Sequence, residues 1–194
     1  MSHANEKHLL VTGFGGQGII MAGDILGKAA SIYDQKFSTM AQAYGPEARG
    51  GSCSAQIIIS DDEILFPQVT EADVIVCMSQ EGYSKNVGRL NRRGTLIWDT
   101  DLVRTKKLEP GWKTYNIPAT RFGEELGNKM MANIVMLGFL AAVCDFVSVD
   151  AIREAVISSV PEATRESNTR AFERGYQYGE AILKSRAKQD KIKD

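Results

Sequence analysis

Residues 8–30 of this 194-residue chain read "HLLVTGFGGQGIIMAGDILGKAA". A short apolar run ends in a loop that has glycine at four of the six positions 13–18. The apolar residues that follow recur at helical spacing, so they predict one buried helix face. They are Ile19, Ile20, Ala22, Ile25, Leu26, Ala29 and Ala30. The pattern predicts a buried strand, a bare-backbone turn and a helix, which together open a βαβ unit.

The glycine loop satisfies the spacing G-x-G-x-x-G. In that motif we expect Gly13 to make the tight turn, Gly15 to allow close approach, and Gly18 to let the helix pack on the sheet. Free N–H groups at the helix start would then face an anion. A dinucleotide site also needs an acidic residue about 20 positions later. Asp34 lies near that distance, but its surroundings are poor strand material.

Three interpretations of this loop therefore remain open: a dinucleotide site, a site for another ligand, and a turn needed only for packing. Gly16 and Gln17 count modestly against packing alone, since packing requires neither an extra glycine nor a polar amide at the helix start. A P-loop nucleotidase is excluded, because the chain has no G-x-x-x-x-G-K-[ST] sequence.

A second unusual stretch reads "FSTMAQAYGPEARGGSCS", and we interpret it as a long functional loop. Arg49 could offer its planar guanidinium to a carboxylate or phosphate, although an ordinary surface loop with a Glu47–Arg49 ion pair fits equally well. This stretch contains the glycine segment Gly45, Gly50 and Gly51, and both it and the glycine loop at residues 13–18 adjoin the end of a predicted strand. We therefore expect the two loops to meet at one edge of the sheet.

The remaining segments complete the predicted topology. The runs "CSAQIIIS" and "EILFP" predict an antiparallel hairpin across Asp61 and Asp62, and "ADVIVCM" and "GTLIWD" predict buried parallel strands. The run "KTYNIP" predicts an edge strand, and three helical segments follow, with Ser148 or Asp150 as a cap of the second. The fold class is therefore α/β: a three-layer Rossmann-like domain with a mixed, mostly parallel sheet and a β-hairpin. We expect one domain over 1–194, with a core of about 8–185 and a charged tail at 186–194.

Composition restricts the function. The formal net charge of −1 argues against nucleic acid as a partner, and no apolar run approaches the length of a membrane span. The start of the chain lacks the apolar stretch of a signal peptide, and Cys53, Cys77 and Cys144 lie far apart without a CxxC pair. We therefore expect a cytoplasmic protein with no metal site of its own.

No self-contained catalytic centre is visible either. His3 and His8 are the only histidines, and both lie at the extreme N-terminus, where a His-based acid or triad is not expected. Asp99 and Asp101 follow a predicted strand and could chelate Mg²⁺, but a solvated turn with a helix cap is the favoured interpretation. We predict no catalytic residue in this chain.

Three segments in order carry a resemblance to a known family: "TGFGGQGIIMAGDIL", "YGPEARGGSCSAQIIIS" and "GNKMMANIVMLGFLAAV". From about Leu9 to Tyr178 the chain resembles the gamma subunit of the 2-oxoacid:ferredoxin (or acceptor) oxidoreductases. The style of its loops is most similar to the 2-oxoglutarate branch. Pyruvate and ketoisovalerate enzymes are close behind.

The resemblance implies part of an enzyme that decarboxylates a 2-oxoacid on thiamine diphosphate, passes electrons through iron–sulfur clusters to ferredoxin, and transfers the acyl group to coenzyme A. Alpha and beta subunits, with a delta subunit, would hold thiamine diphosphate, Mg²⁺ and the clusters, and this chain alone would bind none of them. Its expected contribution is a surface facing the intersubunit cleft. That surface comprises Gly13, Phe14, Gly15, Gly16, Gln17, Gly18, Tyr44, Gly45, Pro46, Glu47, Arg49, Gly50 and Gly51.

Whether these loops contact coenzyme A phosphate or another subunit stays open from the sequence. Two alternatives of other classes also stay open. One is a stand-alone dinucleotide-binding oxidoreductase, and the other is a non-catalytic structural α/β module.

Overall fold

The computed structural model describes residues 6–45, 51–106 and 108–193. Its six strands are β1 (Glu6–Phe14), β2 (Phe37–Tyr44), β3 (Ser52–Ser60), β4 (Ala72–Cys77), β5 (Leu90–Asp99) and β6 (Lys113–Ile117). Its α-helices are α1 (Ile19–Lys28), α2 (Gln80–Asn86), α3 (Ala119–Glu125), α4 (Ala132–Val143), α5 (Val149–Ser159) and α6 (Arg165–Lys193).

The six strands form one mixed sheet in the order β2-β3-β1-β4-β5-β6. β1, β4, β5 and β6 pair in parallel, whereas β3 pairs antiparallel with both β1 and β2. Only β3 runs against the other five strands. The predicted mixed, mostly parallel α/β sheet is confirmed.

Helices cover both faces of the sheet because the central strands are apolar on both sides. Along β1, Leu9 and Val11 belong to the larger core with helices α1 and α3 to α6, whereas Leu10 belongs to a smaller core with α2. β4 alternates in the same way, with Val76 on one side and Ile75 on the other. None of the helices within the described ranges is long and apolar enough to cross a membrane.

The predicted hairpin has the wrong partner. β3 pairs with β2 without a break from Phe37↔Ser60 to Tyr44↔Cys53, and β1 pairs along its other edge. The run "EILFP" therefore has no free edge of β3 to join, and residues 63–67 are not a strand. The prediction that residues 37–44 belong to a long loop is wrong for the same reason. Their weak strand pattern is overridden by pairing with β3.

The helical layer is held together by close contacts and by a shared cap. A Cβ atom at Gly138 would lie 2.0 Å from the Phe172 carbonyl oxygen, so α4 and α6 cross with their backbones nearly touching. Ser148 caps α5 as predicted, since its Oγ accepts a hydrogen bond from the Ala151 N–H. The Asp34 carboxylate in turn accepts two hydrogen bonds from Ser148, each at 2.6 Å.

Candidate functional site

The glycine loop turns sharply after β1. The Gln17 N–H donates to the Phe14 carbonyl at 3.1 Å, and Gly16 lies inside this turn with φ +93°. Gly18 follows with φ +73° and forms the N-cap of α1. These positive φ values favour glycine, so the turn is made at Gly16 and Gly18, and the prediction that Gly13 makes it is wrong.

Gly13 and Gly18 are also positions of close packing. Gly13 still belongs to β1, where it lies opposite Cys53, and a Cβ atom there would come within 2.5 Å of the Ile19 side chain. Gly18 was expected to pack on the sheet, but it lies against α4. A Cβ atom at Gly18 would lie 2.2 Å from Asn133 Nδ2.

Gln17 braces the glycine loop against the sheet. The Phe14 N–H donates to Gln17 Oε1 at 2.6 Å, and Gln17 Nε2 donates to the Met78 carbonyl at 2.8 Å. The Gln17 amide therefore accepts a hydrogen bond from the last residue of β1 and donates one to the residue that follows β4. This bridge gives a physical reason for a polar side chain at the helix start, which the sequence left unexplained.

The two glycine segments meet, as predicted. The Gly15 N–H donates to the Gly51 carbonyl at 2.9 Å, and the Gly45 N–H donates to the Ser52 carbonyl at 2.6 Å. Phe14 and Tyr44 are both exposed beside this junction, Tyr44 by 67%. Four further predicted residues lie outside the described residues: Pro46, Glu47, Arg49 and Gly50.

A cavity of about 340 Å³ lies beside the glycine loop. It sits beyond the carboxyl ends of β1, β4 and β5, where the chain connections diverge to opposite sides of β1. This is the position at which open α/β sheets bind ligands. Its lining residues are Gln17, Met78, Leu102, Thr120, Glu124, Lys129, Met130 and Ala132.

Two helix starts converge on this cavity. Asn133 Nδ2 donates to the Gly18 carbonyl at 3.2 Å, which joins the beginning of α4 to the beginning of α1. The N-cap of α1 is Gly18, which has no side chain to cap the helix, and the cavity is lined by Gln17 before α1 and by Ala132 at the first position of α4. Helix N-termini carry partial positive charge, and Lys129 adds a full positive charge, while Glu124 adds a negative one elsewhere in the lining. The two helix starts and Lys129 together therefore offer a place for an anionic group.

Sequence reasoning missed most of this cavity. Lys129 and Ala132 lie in "GNKMMANIVMLGFLAAV", which contributed to the family resemblance but was not proposed as a site. Asn128, just before Lys129, accepts a hydrogen bond from the Met130 N–H and so caps this turn. The cap residue was the available signal that a helix start, and not a helix interior, lies at this point.

The carboxylates considered as metal ligands are engaged with protein groups. Asp99 is fully buried, and its carboxylate accepts hydrogen bonds from the Thr120 N–H and Oγ1 and from the Asp101 N–H. Burial raises the pKa of Asp99, and these hydrogen bonds partly oppose the rise. Asp101 pairs with Arg121 at 2.6 Å. The favoured helix cap is confirmed, although Asp99 lies in no solvated turn.

The three cysteines do not form a reactive or metal-binding group. Cys53 and Cys77 are buried and Cys144 is half-buried, and burial raises the pKa of Cys77 and of Cys144 to about 12. Among the residues that the structure describes, no three His, Cys, Asp or Glu side chains are grouped so as to hold a metal ion.

A family model described as pyruvate ferredoxin/flavodoxin oxidoreductase matches residues 8–178. The chain belongs to the pyruvate ferredoxin/flavodoxin oxidoreductase family. Within this family it is an oxidoreductase subunit of the gamma type, which confirms the resemblance recognised in its three motifs.

Three similar proteins support this assignment. The chain is 44% identical to the 2-oxoglutarate synthase subunit KorC of Methanocaldococcus jannaschii, over 91% of this chain and 96% of that protein. It is 33% identical to the pyruvate synthase subunit PorC of the same organism, over 84% and 92% of the two chains. The crystal structure of a keto/oxoacid ferredoxin oxidoreductase gamma subunit from Geobacter sulfurreducens PCA matches with a TM-score of 0.80 and 37% identity, over 90% of this chain and 99% of that one.

Proposed function

We propose that this chain is the gamma subunit of a 2-oxoglutarate:ferredoxin oxidoreductase, and that its glycine loop and the adjacent cavity bind the anionic part of coenzyme A. The similarity to KorC exceeds the similarity to PorC of the same organism, 44% against 33% identity, and this difference favours 2-oxoglutarate over pyruvate as the substrate. We assign thiamine diphosphate, Mg²⁺ and the iron–sulfur clusters to the alpha, beta and delta subunits. Ferredoxin or a similar acceptor would then receive the electrons through the complex.

One observation carries the coenzyme A assignment. The starts of α1 and α4 converge with Lys129 on a single cavity at the point where the strand order diverges. Phosphate groups are bound by such helix starts and by lysine. The cavity also has an apolar side formed by Met78, Leu102 and Met130, which suits the uncharged part of a long thiol cofactor.

The exposed aromatic residues support a second role for the same loops. Phe14 and Tyr44 lie at the outer side of the junction between the two glycine segments, and their rings are exposed. Aromatic residues are enriched at protein interfaces. We therefore assign these two side chains to the contact with a partner subunit, so that the cleft closes between that subunit and this chain.

The alternative of a dinucleotide site requires Asp34 to bind a ribose, and this carboxylate is engaged elsewhere. Both carboxylate oxygens of Asp34 accept hydrogen bonds from Ser148. In addition, β2 lies two positions from β1, with the antiparallel β3 between them. A dinucleotide site of the Rossmann type places the next parallel strand directly beside the first.

The coenzyme A assignment predicts a selective kinetic effect of Lys129→Gln in the assembled complex. We expect the KM for coenzyme A to rise about fivefold, the size of one exposed ion-pair contact. The KM for 2-oxoglutarate and the kcat should stay unchanged, because the 2-oxoacid reacts on a cofactor held by other subunits. Steady-state kinetics with each substrate varied in turn measures both constants.

Lys7→Gln is the matched control, because Lys7 is an exposed lysine at the opposite end of β1. It should leave all constants unchanged. An equal rise in both KM values for Lys129→Gln, or the same change in the control, would contradict the assignment.

A further inference from the structure

The two edges of the sheet differ in how they are protected. β6 has five residues and begins with the exposed Lys113, and Arg186 of α6 donates to the Thr114 carbonyl at 2.5 Å. The same guanidinium lies 4.3 Å from the centre of the Tyr115 ring. A short strand, a lysine and a covering side chain are the usual devices that prevent strands from pairing edge to edge.

β2, at the other edge, shows none of these devices among the residues that the structure describes. It is eight residues long, reads "FSTMAQAY", and contains no charged residue and no proline. Its register with β3 is unbroken, so no bulge twists it away. Residues 41–44 are exposed on both faces of the sheet, and Phe37 is 50% exposed at the other end. A long, regular, uncharged edge strand is a template for another strand.

We propose that β2 pairs antiparallel with β2 of a second copy of this chain, which joins the two sheets into one sheet of twelve strands around a twofold axis. A twofold contact brings the same surface of each copy together, so a charged strand would place like charges opposite each other. β2 carries no charge and meets no such repulsion. A strand from a different chain would gain no charge complementarity here.

The side chains of β2 favour a register centred on Ala41. In this register Thr39 lies opposite Ala43 of the second copy, and Tyr44 lies opposite Ser38 of the second copy. Thr39 and Tyr44 then each face a smaller side chain, Met40 faces Gln42 of the second copy, and Ala41 faces its own symmetry mate. Because the two strands run in opposite directions, the glycine loops of the two copies lie at opposite ends of the pair.

The contrast between the edges also fixes the size of the assembly. Each copy has one open edge at β2 and one protected edge at β6, so pairing two β2 strands leaves no further open edge. The structure therefore implies a closed dimer and not an extending fibre.

The oligomeric state of the purified full-length chain tests this proposal, with no substrate or partner subunit present. We expect sedimentation velocity to show a monomer–dimer equilibrium that shifts towards the dimer as the concentration rises. Ala41→Lys should raise the dimer dissociation constant at least tenfold, since it places two ammonium groups opposite each other at the centre of the pair. Asn116→Lys adds the same charge at the protected β6 edge and should have no effect.

A cysteine pair tests the register independently of any loss of folding in the lysine variant. Directly opposite residues of antiparallel strands have Cα atoms about 4.5–5.5 Å apart, within the range of a disulfide. Ala41→Cys should therefore give a disulfide-linked dimer on mild oxidation. Ala43→Cys should not, because its symmetry mate lies about 13 Å away along the strands.

Three outcomes would overturn the proposal: a wild-type chain that stays monomeric at hundreds of micromolar, larger aggregates in place of dimers, and equal cross-linking of the two cysteine variants. A monomeric chain whose Ala41→Lys variant no longer co-purifies with the other subunits would assign this edge to a partner subunit instead. None of these outcomes bears on coenzyme A binding by the complex.

Discussion

Gly18 holds the start of α1 in a backbone conformation that other residues adopt only at a cost. Its φ is +73°, and a Cβ atom there would collide with the side chain of Asn133. Asn133 is buried and its amide is held by hydrogen bonds to the Gly18 carbonyl and from the Ile134 N–H, so it has little freedom to move. The strained backbone and the fixed neighbour act together at this one position.

Substitutions at Gly16 and Gly18 separate the effect of the positive φ from the effect of the contact with Asn133. Gly16 has φ +93° but open space where a Cβ atom would lie. We expect Gly16→Ala to lower the free energy of unfolding by about 1 kcal/mol through the backbone alone. Gly18→Ala should lower it by about 3 kcal/mol, because overpacking is added to the strain. Urea unfolding followed by circular dichroism measures both, and equal losses would refute the role given to Asn133.

The sequence drew attention to the glycines of residues 13–18 and to Gln17, and their part in a functional site stays a prediction. Their individual roles depend on φ values and on contacts with Asn133 and Met78, which lie far away in sequence. The spacing of a sequence motif cannot predict those contacts, and the turn was therefore assigned to Gly13 in error.

Among the elements, β5 and α3 are joined by the buried carboxyl group of Asp99. Its pKa is raised from an ordinary value of 3.8, mainly by burial. Between that value and the raised pKa, the unfolded chain has released the proton while the folded chain retains it. The free energy of unfolding therefore falls as pH rises through this window, which is the sign expected for a carboxyl group with a raised pKa.

Asp99→Asn should remove this part of the pH dependence. We expect the free energy of unfolding of the variant to fall less steeply above pH 3.8 than that of the wild type, as measured by urea unfolding at a series of pH values. Asp24→Asn, which removes an exposed carboxyl group on α1, is the matched control for the loss of a carboxylate. Parallel profiles for Asp99→Asn and the wild type would show that Asp99 titrates alike in the folded and unfolded chains.

Element prediction succeeded where apolar periodicity is strong and failed at the sheet edge. β1, β4 and β5 are buried on both faces, so their composition alone predicts them. β2 is an edge strand whose residues are all exposed or only half-buried, and its strand state comes from its main-chain bonds to β3. The run "EILFP" has better strand residues than β2 but no partner. Local propensity therefore gave the wrong hairpin.

For the molecule as a whole, the proposed role requires an exposed contact with other subunits. Replacing Phe14 and Tyr44 together by serine should weaken this contact without unfolding the chain, because both side chains lie outside the core. We expect the double variant to recover less of the partner subunits when the complex is affinity-purified through this chain. Its CoA-dependent 2-oxoglutarate oxidation should fall in proportion to the complex recovered.

Ile32→Ser together with Leu65→Ser is the matched control, since these residues are also exposed and apolar but lie away from the glycine loops. Full recovery of the complex with Phe14→Ser/Tyr44→Ser would refute the interface role. Reduced recovery with the control pair would place the contact elsewhere on the surface.

The central position of β1 has a consequence for how the chain is made. Among the six strands β1 is synthesised before the others, yet it lies between β3 and β4 in the sheet, and β4 ends only at Cys77. During synthesis, one edge of β1 has no partner until β3 is complete at Ser60, and the other edge has none until β4 is complete at Cys77. A nascent chain arrested before Cys77 therefore exposes an apolar segment that the folded protein buries, and a chaperone that binds short apolar stretches would find it there.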